Sequence, residues 1–151
     1  MVGRGYRTNE SGIRQLRSML PAQGISVVAA PLPHGNGPQT CLHLMSLISI
    51  LDECTALVDL PWLAVETVQL LHGRGFRLIE IDSAERPTLA CNALSLGSST
   101  ILALEENQRT NRKLQEAGFR VLTFPGSEIG INGGGGPTCL TRPLLRRTVS
   151  A

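Results

Sequence analysis

The sequence predicts an α/β fold built from a repeated strand–turn–strand–helix–strand unit. Three segments begin with a glycine and continue as a short apolar run, which is typical of a helix end that leads into a strand. These segments start at Gly24, Gly75 and Gly118. A helical pattern precedes each glycine, and two strand-like segments precede the second and third helices. Two units are therefore complete, and the first begins at Val2 without an opening strand.

The helices are predicted from apolar residues that recur at intervals of three or four positions. Before Gly24 these residues are Ile13, Leu16 and Leu20. Before Gly75 a clearer stripe is formed by Trp62, Val65, Val68 and Leu71. Pro61 is well placed for the first turn of this second helix. The segment 107–114 before Gly118 is polar, so we expect the third helix to lie on the outside.

The predicted strand pairs are separated by turn-like residues. The first pair covers residues 42–50 and 55–59, on either side of Asp52-Glu53. The second pair covers residues 92–96 and 100–105, on either side of Gly97-Ser98-Ser99, which is a hairpin signal. Units of this kind cannot bury their apolar faces alone, and they are expected to stack on one another.

Two irregular segments, 31–38 and 124–136, each lead into a residue of chemical interest. The second ends in four glycines, which predict tight turns or a close backbone approach, and it presents Cys139 as an accessible thiol. The first leads to His43, which stands in an apolar predicted strand. A thiol and an imidazole that are distant in sequence can form a nucleophile and acid/base pair in the fold. A buried structural thiol and a hydrogen-bonded core histidine are the alternatives.

Composition bounds the class of protein. A chain of 151 residues suits a single domain, residues 1–151, with a substantial core. The net charge of +2 and the aromatic content of 3% argue against a nucleic-acid surface. A cluster of arginines near the end of the sequence suits a solvated tail or a phosphate site: Arg142, Arg146 and Arg147.

The sequence also argues against several kinds of site and location. No apolar run approaches the roughly 20 residues that span a bilayer, and no signal-peptide pattern opens the chain, so we expect a cytoplasmic protein without membrane contact. The four cysteines show no C-x-x-C spacing, which argues against a disulfide framework. His34, Cys41 and His43 are close in sequence, but no fourth ligand is near them, so no metal site is expected.

Three motifs carry a family resemblance. Cys41-Leu42-His43-Leu44, Cys91-Asn92-Ala93-Leu94 and the segment 133–141 resemble the guanidino-group-modifying superfamily. That superfamily includes arginine deiminases, dimethylarginine dimethylaminohydrolases and amidinotransferases. The likeness extends from Gly3 to Arg146. It implies a five-bladed α/β propeller, the pentein fold, of which this chain resembles the C-terminal part with about two and a half to three ββαβ repeats.

The resemblance also implies a chemistry and a set of site residues. Cys139 would attack the guanidino carbon of an arginine-like compound and form a covalent amidino-thioether, and His43 would serve as the acid/base. Asn92, Gly135 and Gly136 would bind the substrate, and a role at a turn or at the start of a strand is the alternative for Asn92. The implied reaction needs no metal and no organic cofactor.

Two departures from the family pattern leave two hypotheses open. Deiminases and amidinotransferases of this superfamily usually carry His-x-Asp where this chain has Met45, and their further guanidinium-binding carboxylates stand upstream of the segment that resembles residues 2–8. The acids Asp52, Glu53, Asp59 and Glu128 are interpreted as turn and surface residues. The chain is either a cysteine-dependent hydrolase or amidinotransferase, or an inactive truncated relative that serves as a binding or oligomerisation module. We expect a homodimer or a higher homo-oligomer in either case.

Overall fold

The structure, a computed structural model, describes residues 1–39 and 42–145, and its fold is α/β as predicted. Within this part of the chain the helices are α1 (Glu10–Met19), α2 (Val65–Gly73) and α3 (Gln108–Glu116). The strands are β1 (Val2–Arg4), β2 (Ala29–Pro31), β3 (Ile48–Ile50), β4 (Thr55–Val58), β5 (Arg77–Glu80), β6 (Leu94–Gly97), β7 (Thr100–Leu104) and β8 (Arg120–Phe124). Short 3-10 turns and one π-helical turn, Ser127–Ile131, connect these elements.

The strands form three small sheets in the order that the repeated unit predicts. In the second unit β3 pairs antiparallel with β4, and β4 pairs parallel with β5 across helix α2. In the third unit β6, β7 and β8 repeat this arrangement around helix α3. In the first unit β1 and β2 pair in parallel across α1. The described residues therefore contain two ββαβ units and one βαβ unit.

The glycines that open the repeated segments adopt the left-handed backbone that ends a helix. Their φ angles are 69° at Gly24, 76° at Gly75 and 97° at Gly118. Residues with a Cβ rarely adopt this conformation, which explains why the same residue type stands at the same place in each unit. The hairpin predicted at 97–99 is also confirmed, since it joins β6 to β7.

Two apolar clusters join neighbouring units, and β4 contributes to both. Leu57 is fully buried in a cluster with Ile101 of β7 and Leu114 of α3. Ala56 and Val58 point to the opposite face of the strand and pack in a second cluster with Leu71 and others. Both faces of β4 are covered, so all four of its residues are buried. This is the pattern of a strand in a sheet that is covered on both sides.

The predicted strand 42–50 is wrong in its first half. Residues Leu44–Ser46 form a 3-10 turn, and the strand begins only at Ile48. His43 stands at the N-terminus of this turn, where its ring accepts a hydrogen bond from the backbone N–H of Ser46. The Ser46 hydroxyl accepts one from the His43 N–H in return. These local hydrogen bonds replace the backbone hydrogen bonds that a strand would make with its neighbour, and the turn forms instead.

The remaining corrections concern helix starts and one strand. Trp62 belongs to a separate 3-10 turn that contains Pro61, and α2 begins at Val65. The strand predicted directly after Gly24 forms later, at Ala29–Pro31.

Helix α3 has a buried face, although its sequence is polar and it was expected on the outside. Thr110, Asn111 and Leu114 are all buried. Most of their polar atoms are hydrogen-bonded: Thr110 Oγ1 accepts from the Asp82 N–H and Asn111 Nδ2 donates to the Leu104 carbonyl. Asn111 Oδ1 is the exception, since it has no partner among the described residues. A polar side chain can be buried at low cost when its hydrogen bonds are made inside the protein.

Candidate active site

The glycine run packs its backbone directly against the candidate nucleophile. A Cβ added at Gly135 would lie 2.8 Å from the Cβ of Cys139, and one added at Gly136 would lie 2.7 Å from Cγ of Asn92. Contacts this short do not occur between real side chains, so both positions require glycine for space. The close backbone approach predicted from the sequence is thus present, and the group approached is the Cys139 side chain itself.

Asn92 holds the segment that carries Cys139. Its Oδ1 accepts hydrogen bonds from the Thr138 backbone N–H at 3.0 Å and from the Thr138 hydroxyl at 2.5 Å. A backbone N–H can only donate, so this contact fixes which side of the amide is oxygen. The amide nitrogen then faces the sulfur, and Nδ2 donates to Cys139 Sγ at 3.1 Å. Asn92 is buried and lies just before β6. The residue that holds the nucleophile is thus itself held in the protein interior.

A cavity of about 850 Å³ brings the predicted site residues together. His43, Asn92, Gly135 and Cys139 all contribute to its wall, whereas Gly136 is buried behind Asn92. The volume lies within the roughly 300–1,000 Å³ of small-molecule sites. His43 and Cys139 are both exposed, so neither the core-histidine nor the buried-thiol alternative describes them.

The cavity wall is largely apolar and contains no carboxylate among the described residues. Its apolar side chains come from several segments between residues 42 and 140: Leu42, Met45, Leu47, Trp62, Ile81, Pro87, Leu89, Ile129 and Leu140. The charged or ionisable wall residues are Arg86, His43 and the thiols of Cys91 and Cys139. Met45, which stands where the family pattern has an acid, is one of the wall residues and is 44% exposed.

Arg86 is a charged wall residue that no motif of the sequence indicates. Its guanidinium makes two hydrogen bonds to the Asp59 carboxylate, from Nε to Oδ2 and from Nη2 to Oδ1, the latter at 2.8 Å. Its Cζ lies 5.2 Å from the ring centroid of Trp62, in cation–π contact. The hydrogen bonds to Asp59 raise the pKa of the Arg86 guanidinium above its ordinary value.

Asp59 is not the turn or surface acid that the sequence predicts. Its side chain is buried, with 1% exposure, and it is paired with Arg86. The other acids considered, Asp52, Glu53 and Glu128, are exposed as expected. The sequence gives a partial indication that Asp59 is buried, because this residue directly follows the apolar segment that forms the buried strand β4.

The other cysteines differ from Cys139 in their surroundings. Cys91 is buried, and burial together with the nearby Asp59 charge raises the pKa of its thiol well above the ordinary range. Cys54 is exposed, as Cys139 is. Cys41 lies outside the described residues, as do Arg146 and Arg147. No group of three or more His, Cys, Asp or Glu suited to a metal ion occurs in the described part of the chain.

A family model for arginine deiminase matches residues 59–146, which is more than half of the chain. The chain belongs to the arginine deiminase family. The uncharacterized protein YkgA of Bacillus subtilis is 34% identical over 145 residues, which cover 96% of this chain and 48% of YkgA. The chain therefore spans about half the length of this relative. The predicted membership in the guanidino-group-modifying superfamily is confirmed.

Solved structures agree with this family assignment at the level of the fold. The N-terminal domain of ArgZ, an arginine dihydrolase from cyanobacteria, was solved with product bound and superposes with a TM-score of 0.75 at 23% identity. The match covers 95% of this chain and 52% of that one. DDAH from Pseudomonas aeruginosa, a mutant complexed with citrulline, gives a TM-score of 0.64 at 27% identity over 83% of this chain and 44% of that one. No helix in the described part of this arginine deiminase family member is long and apolar enough to cross a membrane.

Proposed function

We propose that this chain supplies the nucleophile and the acid/base group of an enzyme that acts on the guanidino group of an arginine-like compound. One observation carries the proposal: Asn92 Nδ2 lies 3.1 Å from Cys139 Sγ, in a cavity that His43 also lines. The thiolate is the nucleophilic species. The Asn92 N–H therefore points at the atom that carries the negative charge when Cys139 attacks.

The reaction proceeds in two halves. In the first, the Cys139 thiolate bonds to the guanidino carbon, and the resulting tetrahedral adduct expels an amine that takes a proton from His43. This leaves an amidino-thioether on Cys139. In the second, His43 takes a proton from water, the hydroxide adds to the same carbon, and collapse of that adduct breaks the C–S bond. The products are a ureido compound, the amine and the regenerated thiolate, and an amine in place of water gives amidino transfer.

The repeated units support a placement within a larger architecture. We infer that the two ββαβ units and the βαβ unit are neighbouring blades of a partial α/β propeller. The support is their shared strand order and the two apolar clusters that join successive units. The chain spans about half the length of YkgA, so the activity of a whole family member is a proposal for this chain.

The alternative function is an inactive binding or oligomerisation module. One observation favours it, because no described residue of the cavity wall is an Asp or Glu that could hold a guanidinium. The retained Cys139, His43 and Asn92 favour the enzyme, since a module would have no need of a supported thiol in a cavity that an imidazole also lines.

Alkylation with a matched pair of reagents tests the proposal. Chloroacetamidine carries the planar cation of a guanidino group, and chloroacetamide is its neutral counterpart with the same leaving group. We expect the amidine-to-amide rate ratio to be at least about tenfold higher at Cys139 than at Cys54, which corresponds to about 1.4 kcal/mol of preference. Peptide mapping by mass spectrometry gives both rates from one sample.

Cys54 is a demanding internal control. It is exposed, and the acids Asp52 and Glu53 precede it. These negative charges attract a cationic reagent without any guanidino site, so Cys54 shows how much preference for the amidine charge alone produces. His43→Ala should slow alkylation at Cys139 and leave Cys54 unchanged. Equal ratios at the two thiols, or preferential labelling of Cys54 or Cys91, would refute a guanidino site at Cys139.

A further inference from the structure

Ser49 is a buried polar residue that bonds to the backbone on both sides of Asn92. It stands in the middle of β3 and is 6% exposed. Its hydroxyl donates a hydrogen bond to the Cys91 carbonyl at 2.6 Å and accepts one from the Ala93 N–H at 3.3 Å. One hydroxyl can make both bonds, because it has a single O–H to donate and lone pairs to accept.

The backbone at Asn92 forms a tight turn, and Ser49 bonds to both groups that close it. The Ala93 N–H donates to the Cys91 carbonyl at 3.1 Å. A hydrogen bond between a residue and the second one before it closes a γ-turn, so Asn92 is the central residue of this turn. The Asn92 N–H in turn donates to the Leu89 carbonyl at 2.8 Å. The backbone of Asn92 is therefore restrained at each peptide group around it.

This turn determines where the Asn92 amide stands relative to the nucleophile. Nδ2 donates to Cys139 Sγ at 3.1 Å, and Oδ1 accepts both the N–H and the hydroxyl of Thr138. Hydrogen bonds weaken steeply when their distance or angle departs from the preferred range. A small displacement of the backbone at Asn92 is thus expected to weaken the contact with the sulfur.

We propose that Ser49 is a positioning residue that acts on the nucleophile through Asn92, because its hydroxyl fixes the γ-turn from which Nδ2 reaches Cys139 Sγ. The inference rests on the proposed function, which makes Cys139 the nucleophile. Ser49 also connects two parts of the site. It follows His43 in the segment that forms the turn Leu44–Ser46 and then β3. The segment that supplies the imidazole thereby also restrains the residue that contacts the thiol.

Ser95 provides a matched control, because it makes the same kind of bond between the same two units. Its hydroxyl donates to the Leu51 carbonyl at 2.6 Å, which is the length of the bond from Ser49 to Cys91. Ser95 belongs to β6 and Leu51 directly follows β3, so this bond does not involve the turn at Asn92. Ser95→Ala therefore removes a comparable hydrogen bond and leaves the γ-turn closed.

Alkylation by iodoacetamide, with Cys54 as the internal reference, measures the effect without requiring turnover. We expect Ser49→Ala to slow alkylation of Cys139 by about three- to tenfold, because the donor on Asn92 is displaced rather than deleted. Ser95→Ala should leave the rate at Cys139 at the parent value. Ser49→Thr retains the hydroxyl and suits a strand, so it should restore the parent rate.

A double-mutant cycle tests whether Ser49 acts through Asn92. Asn92→Asp replaces the Nδ2 donor with an oxygen, so the contact that Ser49 is proposed to position no longer exists. In that background Ser49→Ala should not slow the alkylation of Cys139 any further. Two residues that affected the thiol independently would instead give effects that multiply.

Several outcomes overturn the inference. A folded Ser49→Ala protein that alkylates Cys139 at the parent rate does so, as does an equal slowing by Ser95→Ala or an effect of Ser49→Ala that multiplies with Asn92→Asp. If Ser49→Ala does not fold, Ser49→Cys takes its place, since a thiol fills the site and forms only weak hydrogen bonds, and the same slowing is expected.

The proposed function can fail separately from this inference. The amidine-to-amide ratio at Cys139 in the parent protein decides whether a guanidino site is present. The rates with neutral iodoacetamide decide whether Ser49 positions Asn92, and they do not depend on a guanidino group.

Discussion

Asn92→Asp separates two roles that Asn92 combines, the support of the loop and the stabilisation of the thiolate. An Asp side chain retains an oxygen where Oδ1 accepts from the backbone N–H and hydroxyl of Thr138, at 3.0 and 2.5 Å. It replaces the Nδ2 donor, 3.1 Å from Cys139 Sγ, with a second negatively charged oxygen. The loop thus keeps its anchor while the contact with the sulfur changes from attraction to repulsion.

The expected size of the effect follows from the bond that is lost. Hydrogen bonds to charged groups contribute about 1.5–3 kcal/mol. Since 1.4 kcal/mol is a factor of ten, loss of this hydrogen bond to the attacking sulfur should lower the reactivity of Cys139 by about 10- to 100-fold. Alkylation proceeds through the thiolate, so the rate with iodoacetamide should fall by a similar factor. Iodoacetamide is neutral, which keeps the reagent's own charge out of the comparison.

Asn92→Ala provides the contrast that makes the test decisive. It deletes all three bonds and leaves the Thr138 N–H without its partner, which should cost on the order of 1–3 kcal/mol of stability. Asn92→Asp should stay within about 1 kcal/mol of the parent in urea unfolding yet react slowly, whereas Asn92→Ala should lose both properties. Cys54 serves as the internal reference for the rates. A folded Asn92→Asp protein that alkylates Cys139 as fast as the parent would refute thiolate stabilisation by Asn92.

Two further predictions concern turnover and assembly. We expect little or no turnover of arginine, methylarginines or agmatine by this chain alone, because no described wall residue is a carboxylate that would orient the guanidinium, and orientation can supply about 7–11 kcal/mol of barrier lowering. A colorimetric assay for ureido product checks this, and turnover near about one per second, within the ordinary enzymatic range, would contradict it. We also expect a homodimer or higher homo-oligomer, since β1 pairs only with β2 among the described residues whereas β4 and β7 are each central strands, and exposed strand edges favour association. Light scattering that gives a monodisperse folded monomer of 16.2 kDa would refute this expectation.

The order of elements could be predicted from the sequence because its signals are local. A glycine that ends a helix and an apolar run that follows it are neighbours in the chain, and Gly75 and Gly118 carry both signals. The same logic predicted the close approach of the glycine run, because only a backbone without Cβ fits next to Cys139. Element ends were less predictable, as at residues 42–47, where a capping interaction between His43 and Ser46 replaces the expected strand.

The contacts of the buried polar residues could not be predicted, since they depend on partners that are distant in the chain. Asp59 and Arg86 are 27 positions apart, and only the tertiary fold shows that the acid is buried and the arginine is its partner. Helix α3 illustrates the same limit, because a polar side chain such as Asn111 indicates exposure unless the position of its hydrogen-bond partner is known. The hydrogen bond from Asn92 to Cys139 belongs to this class as well, and it gives Asn92 a contact with the nucleophile in addition to its place in the cavity wall.

The three site residues occupy equivalent places in the repeated architecture, which explains why they meet. His43 lies in the connection between β2 and β3, Asn92 lies between β5 and β6, and Cys139 follows β8, so each stands after the last strand of one unit. Stacked repeats bring their equivalent connections to one face. The hydrogen bond between Asn92 and Cys139 and the shared cavity are consistent with this convergence. Arg86 belongs to the same connection as Asn92, so one loop supplies both the support of the nucleophile and the one arginine of the described cavity wall, whereas the strands and their apolar clusters form the scaffold.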